Sequence, residues 1–438
     1  MTFSEAMDYI SSVSKKGSVL GLDTTRELCK RVGNPQDKLK FVHIAGTNGK
    51  GSTLAFISTV LTVSGYRTGR YISPVIYNYC EKIQVDGENI PTGDVAQYVE
   101  IIKKACDDMV ADGFEQPTVF ELETVMAFMH FLNEKCDIVV LETGMGGRDD
   151  STNVIKSPLC SVLTSISLDH VGMIGNNLKE ITECKAGIIK DNSPVVLYEQ
   201  DEGVMDIVKC ICSDKASELH ITCNKEVFQK ENSLYGQVFD YKNFTDITIR
   251  LLGAYQIKNA ATALEVINVL RNKGFDIPDE KVREGMSLTR WPGRFEIVND
   301  RPLIIMDGAH NPDGARVFRQ TVEDYLDGYV KIFVMGILKD KDYRSIIKLT
   351  NDLAGAIITI NPDNARALTD TELKDAIEEM KKNGELADKN INVIAAGRIE
   401  SGIELANHIA MQLGDVKTAI VVFGSLSFLG DLGRYLYQ

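Results

Sequence analysis

No apolar run in this chain approaches the roughly 20 residues needed to cross a bilayer, so a membrane-spanning protein is not expected. The opening residues, Met1-Thr2-Phe3-Ser4-Glu5, have neither a basic region nor an apolar segment, so no secretion signal is expected there. Nine cysteines are scattered without a CxxC pair. Cys210 and Cys212 stand two apart, but no second pair completes a zinc set. Reduced cysteines in a cytoplasmic protein are the expectation. Basic charge is also short: 48 Lys and Arg against 62 Asp and Glu leave a net charge of −14. Such a balance argues against nucleic acid as the main partner. A phosphate-binding site would therefore have to gather basic groups locally, and the candidates are Lys50, Arg148, Lys185, Arg294 and Arg366. Internal repeats and low-complexity segments are missing as well.

At 438 residues the chain is too long for one ordinary core, and two domains are expected. Hydrophobic content of 44% and charged content of 25% are those of a globular enzyme. Short apolar runs recur between helix-like stretches: Phe41–Ile44, Ile138–Leu141, Ser161–Thr164, Val195–Leu197, Leu303–Met306, Ile332–Met335, Ile357–Ile360, Val393–Ala395 and Ile420–Phe423. They read as buried parallel strands. Residues 218–252 alternate in a strand-like way and read as an antiparallel extension of the first sheet. Trp291-Pro292-Gly293-Arg294 stops a helix just before a new strand-helix series. The expected fold is α/β. A P-loop-type, mostly parallel sheet domain flanked by helices fills residues 1–295, and a smaller Rossmann-like α/β domain fills 296–438.

The densest chemistry lies at Gly46-Thr47-Asn48-Gly49-Lys50-Gly51-Ser52-Thr53, directly after the run Phe41–Ile44. Glycines let the backbone approach an anion, the helix start adds its dipole, Lys50 adds charge, and Ser52 can reach a magnesium ion. One extra glycine, Gly51, separates the lysine from the serine of the common P-loop pattern. Glu142 ends the second apolar run, where an acid can hold magnesium near phosphates. His170 follows the third run and suits a metal, a phosphate or a helix cap. Lys185, taken alone, reads as a surface lysine. Asn259 opens a small-residue helix and suits a purine edge. Asp307 and His310 sit on the loop after the first strand of the second domain, beside loops at Leu338–Asp342 and Asn361–Arg366.

Ala45–Thr53, Ser73-Pro74, Glu142–Arg148, Asp169-His170, Lys185–Lys190, Gln256–Ala263, Trp291–Glu296, Asp307–Pro312 and Gly336–Asp342 occur in the order found in the folylpolyglutamate synthase and dihydrofolate synthase family, within the Mur ligase superfamily. The resemblance covers nearly the whole chain. It implies a central ATP-binding domain over 1–295 and a glutamate ligase domain over 296–438. ATP would phosphorylate a carboxylate of folate or dihydropteroate, and L-glutamate would attack the acyl phosphate. By similarity, Lys50 and the loop amides of Gly46–Thr53 hold phosphates. Ser52, Ser73, Glu142 and His170 bind or orient Mg2+. Asn259 meets the adenine, Arg294 the γ-phosphate and Asp307 the nucleotide, while His310 lies near the acyl phosphate. Lys185 matches a lysine whose carbamate binds a second magnesium. This chain departs from the family pattern at Val75, at Tyr255 in place of a histidine, and at Cys184 in place of a glutamate. Thr118-Val119-Phe120-Glu121 resembles the segment near the folate site, where Phe120 could stack on a pterin or belong to the core. The small-molecule partners implied are ATP, L-glutamate and the pterin acid, for a monomer with no nucleic-acid or membrane partner.

Two rivals follow. A ligase of cell-wall precursors, acting on a different carboxylate, would need a separate nucleotide-sugar domain, and too few residues precede Gly46 for one. A nucleotide-binding protein or kinase would not need the loops at Asp307–His310 and Lys339–Asp342.

Overall fold

A computed structural model describes residues 1–14 and 21–436. Eight strands build the first sheet: β1 (Phe41–Ala45), β2 (Thr68–Tyr71), β3 (Ile83–Val85), β4 (Glu88–Asn89), β5 (Ile138–Glu142), β6 (Cys160–Leu163), β7 (Val195–Leu197) and β8 (Leu219–Ile221). Their order is β4-β3-β2-β5-β1-β6-β7-β8. Pairing is parallel from β2 through β8, and antiparallel only where β3 and β4 extend the β2 edge. β1 and β5 are buried along their full length, as expected of strands covered on both faces. Val42, Ile44 and Val140 face one core with the helices Lys50–Val63 and Ala254–Asn272. Phe41, Val139 and Leu141 face the other, with the helices Thr92–Ala111 and Val119–Asn133. The chain leaves β1 toward both neighbours, so a crevice opens at the carboxyl ends of β1, β5 and β6.

The segment 218–252 does not extend this sheet in antiparallel fashion. Leu219–Ile221 joins it parallel to β7. The rest forms a separate antiparallel sheet, β9 (Val227–Ser233), β10 (Gly236–Tyr241) and β11 (Phe244–Ile249). The reason is burial. Phe239, Tyr241, Phe244, Ile247 and Ile249 are buried in one core with the helices Ala254–Asn272 and Asp279–Leu288. Pairing at the β8 edge would leave those apolar side chains in water.

The third sheet holds β12 (Glu296–Asp300), β13 (Leu303–Asp307), β14 (Val330–Met335), β15 (Ala356–Thr359), β16 (Asn392–Ala395) and β17 (Thr418–Phe423), in the order β12-β13-β17-β14-β15-β16. Only β12 is antiparallel. All nine apolar runs picked from the sequence are strands here. Among the described residues no helix is long and apolar enough to cross a membrane.

Candidate active site

Gly49 caps the helix Lys50–Val63 with φ +88, a conformation glycine adopts without strain. A Cβ there would also sit 2.6 Å from Asn259 Oδ1, so the glycine admits the asparagine to the loop. Gly51 has a comparable use. A Cβ on it would lie 2.4 Å from the Trp291 ring, and the extra glycine of the motif thus lets the linker tryptophan rest on the helix start. Thr47 fastens the loop to the β6 side: its hydroxyl donates to Ser167 O at 3.1 Å and its amide to Ser165 O at 2.7 Å. Lys50 Nζ donates to Gly46 O at 3.0 Å and to Thr47 O at 3.3 Å.

Glu142 is buried at the end of β5, with Lys50 Nζ 4.0 Å away and the Ser73 amide at 3.4 Å. Burial pushes its carboxyl up to about 7, against the pull of Lys50 and the Ser73 amide. One ammonium at that distance does not compensate a buried carboxylate. With Ser52 and Ser73 lining the same cavity, this oxygen-rich set fits a hard divalent cation.

Lys185 is a buried residue and not a surface lysine. Its Nζ donates to Gly46 O at 2.9 Å, so two lysines share one carbonyl. Burial, and then Lys50, pull its amine down to about 7. Cys184, the departure beside it, packs into an apolar cluster with Ile174 and Ile181, and its carbonyl accepts the Arg148 amide at 2.8 Å. His170 Nε2 lies 3.7 Å from Asp169 Oδ2. Burial lowers the His170 pKa more than Asp169 raises it.

The third sheet supplies the facing wall. Asp307 is buried, and its carboxylate accepts the amides of Phe295 and Ala309, each at 2.8 Å. It therefore clamps the corner that carries Arg294 and His310. His310 Nδ1 lies 2.7 Å from Gly308 O; a carbonyl only accepts, so Nδ1 carries the proton and Nε2 is left as an acceptor. Burial pushes the imidazole down to about 4, which keeps it neutral near pH 7. Lys341 reaches across to Asp169 at 4.0 Å and ties the two walls together.

A cavity of about 370 Å³ lies between these walls. Of the candidate site residues, Thr47, Asn48, Gly49, Lys50, Gly51, Ser52, Ser73, Glu142, His170, Asn259, Arg294, Asp307 and His310 line it. Gly46, Thr53 and Lys185 do not: Lys185 stands behind the Gly46 carbonyl, and Thr53 is buried in the helix. Two of the five basic candidates point elsewhere. Arg148 donates to Glu183 O, and Arg366 is exposed and pairs with Asp340 at 3.3 Å. Lys341 lines the cavity instead. Phe120 is absent from its wall; the ring packs 5.9 Å from Tyr71 and against Gly144. Thr118 and Glu121 form the capping box of the helix Val119–Asn133, which the Thr-x-x-Glu spacing encodes.

Sequence reading missed Ser165, Tyr198 and Leu426, which all line the cavity. Each follows a parallel strand, and that position was the available signal. It also missed a buried support behind the Gly144–Arg148 loop. Asp150 accepts the Met145 amide at 2.8 Å and the Thr152 hydroxyl at 2.6 Å, and His43 Nε2 meets that hydroxyl at 2.8 Å. Burial pushes the His43 imidazole down to about 3. Its folded pKa lies below the ordinary 6.5, so the unfolded chain binds the extra proton on acidification. The stability from neutral His43 is present above about 6.5 and is lost as pH falls toward 3, at up to about 1.4 kcal/mol per pH unit. His43→Gln, which keeps a donor but does not titrate, is expected to lose less stability than the wild type between about pH 7 and about pH 5. Chemical denaturation at both values checks this, and equal losses would contradict it.

Residues 44–267 match the Mur ligase middle domain, and residues 293–426 match the Mur ligase glutamate ligase domain. The dihydrofolate synthase/folylpolyglutamate synthase of Bacillus subtilis is 33% identical over 444 residues, covering 99% of each chain. The folylpolyglutamate synthase of Mycobacterium tuberculosis, solved with ADP and AMPPCP, superposes with a TM-score of 0.88 at 28% identity, covering 100% of this chain and 99% of that one. An FPGS–AMPPCP–folate complex superposes at 0.82 and 28% identity, over 100% of both chains. The crevice between two α/β sheets, its glycine loop and these full-length matches agree: the chain belongs to the folylpolyglutamate synthase/dihydrofolate synthase family of Mur ligases.

Proposed function

We propose that this chain joins L-glutamate to a folate or dihydropteroate carboxylate through an acyl phosphate, with ATP as the phosphoryl donor. The observation that supports this best is the shared cavity, with Lys50, Ser52 and Glu142 on one wall and Arg294, His310 and Lys341 on the other. The reaction must bring a carboxylate and a γ-phosphate, both anions, into contact. Cations and fixed N–H groups from two directions meet that need better than a base does.

In the first step a carboxylate oxygen attacks the γ-phosphorus and the bond to ADP breaks. Lys50 and the amides of the Gly46–Thr53 loop hold the phosphates, with Arg294 opposite. In the second step the amine of glutamate attacks the acyl carbon, phosphate leaves, and the amine gives up a proton. Neutral His310 can accept a hydrogen bond from that amine through Nε2, which orients it. A pKa of about 4 makes it a weak base, so its part is positioning. Asn259, beside Gly49, is placed for the adenine edge, and Asp307 steadies the second wall. Glu142, Ser52 and Ser73 would hold Mg2+, with His170 beside them; when bound, the ion would neutralise charge on the transferred phosphoryl group. An amine with a pKa near 7 is in part neutral, the form that adds to carbon dioxide, so Lys185 is suited to carbamylation. We place the functional divide between the ATP-binding and glutamate ligase parts at residues 295 and 296, and the working unit is a monomer. All nine cysteines are free thiols, which supports a cytoplasmic setting.

Sustained ADP release over many turnovers is expected only when a pterin acid, L-glutamate and Mg2+ are all present, with product mass increased by one glutamyl unit. Dihydropteroate and tetrahydrofolate offered separately decide which acceptor is used. ADP release that ignores the acceptor would overturn the ligase reading.

A further inference from the structure

Among the described residues, two arginines beside the active-site cavity have no carboxylate of their own. Arg70 lies on β2, and Arg290 directly precedes Trp291. Both line a second cavity of about 240 Å³ and a third of about 210 Å³. The second cavity shares Gly51, Ser73, Pro74, Glu142, Arg294 and Leu426 with the first, so it adjoins the place where ATP and acceptor would meet.

Arg70 Nε donates to Gln84 Oε1 at 2.6 Å, and among the described residues its guanidinium makes no ion pair. Burial pulls it down to about 10. Arg290 Nη1 donates to the carbonyls of Ser287 and Thr289, both on its own turn. Three acids line these cavities, and Glu142 among them faces Lys50 on the active-site side. Glu81 accepts the amides of Ile76, Tyr77 and Asn78, and Asp86 accepts the Thr68 amide and pairs with Arg67. Arg70 is withdrawn from water without a counter-ion, which is costly to the fold and which an anionic ligand would offset, while Arg290 is exposed at the cavity mouth and free to turn toward such a ligand.

We propose that Arg70 and Arg290 receive the α-carboxylates of glutamyl residues already carried by the acceptor, making this cavity a binding site for a γ-glutamyl chain. The proposal rests on the ligase reading above. In that reading the carboxylate to be activated lies near Lys50, and the chain behind it presents one α-carboxylate per residue. Guanidinium groups take such carboxylates in a planar, two-pronged fashion. The third cavity adds Ser58, Thr59 and Thr62 from the P-loop helix, which are polar without adding negative charge. Dihydropteroate has no glutamyl residue and would not engage the pair.

The test compares Arg290→Gln, Arg70→Gln and the charge-retaining Arg70→Lys with the wild type, using dihydropteroate, tetrahydrofolate and its triglutamate as acceptors. Removing either charge is expected to raise KM about tenfold or more for the triglutamate, less for tetrahydrofolate and least for dihydropteroate. KM for ATP and for L-glutamate should hold, and Arg70→Lys should recover part of the loss. An equal rise for all three acceptors would mean that the arginines only shape the fold, and a rise confined to L-glutamate would assign them to the incoming amino acid. Either result overturns the proposal. The tripeptide γ-Glu-γ-Glu-Glu supplies a readout apart from turnover. Calorimetry should show it binding the wild type and losing affinity in Arg290→Gln, and no difference would also overturn the proposal. If the wild type ligates none of the acceptors, the ligase reading falls, while the tripeptide still decides whether the pair binds such a chain.

Discussion

Lys50→Ala is expected to lower ligation on the order of a hundredfold or more, while the protein stays folded. Lys50 Nζ donates to two loop carbonyls and faces Glu142 at 4.0 Å, so its polar contacts are with the loop and the β5 acid and not with the apolar core. Gly46 O keeps Lys185 as a donor when Lys50 is removed. What disappears is the charge that would meet the phosphates as negative charge moves from the γ-phosphoryl group to ADP. The substitution also removes the cation that draws the Glu142 pKa down and the one that lowers the Lys185 pKa. Both should then shift upward: Glu142 would hold its proton more tightly and Lys185 would be charged more often. Single-turnover ADP release beside a thermal melt separates chemistry from folding. Near-wild-type turnover would remove Lys50 from the phosphate site.

Lys185→Ala is expected to lose most activity, and formate or acetate should restore part of it. The amine stands behind the Gly46 carbonyl, away from the cavity wall, and is buried with one hydrogen bond. A charged ammonium there would repel Lys50 and any divalent cation nearby. Carbamylation replaces that cation with an anionic oxygen pair, which suits a hard metal. Truncation to alanine leaves space where a small carboxylate can stand in for the carbamate. Activity of the variant, with and without the added acid and at two carbon dioxide levels for the wild type, is the measurement. Full activity of Lys185→Ala without any acid would make the lysine a structural group that only supports the loop.

Nine parallel strands were legible because each is a short apolar run between helical stretches, most of them buried along their length. β2 was not, since Thr68–Tyr71 places Gly69 and Arg70 where an apolar run would be expected. Its strand state comes from pairing between β3 and β5. The helix Lys50–Val63 is buried nearly all round, so it shows no one-sided stripe, and its start was read from the glycine loop instead. Residues 218–252 were legible as strands but not in their partner, because alternation fixes which side chains share a face and says nothing about what covers it.

Local patterns therefore marked the candidate groups by themselves: the glycine loop after β1, the acid ending β5, the Asp-Gly-Ala-His turn after β13, and the order in which they occur. Each needs only a strand, a turn and a helix start, and those are encoded by neighbours in sequence. Distances across the crevice were decided by tertiary structure alone. The sequence offers Lys185 as an ordinary helical lysine; only the packing of its helix beneath Gly46 buries the amine and pulls its pKa to about 7. Arg366 and Lys341 look equally basic in the chain, yet the loops of the third sheet turn one to solvent beside Asp340 and the other toward Asp169. Charge and burial at a site are sums over groups far apart in sequence, and no local pattern carries such a sum.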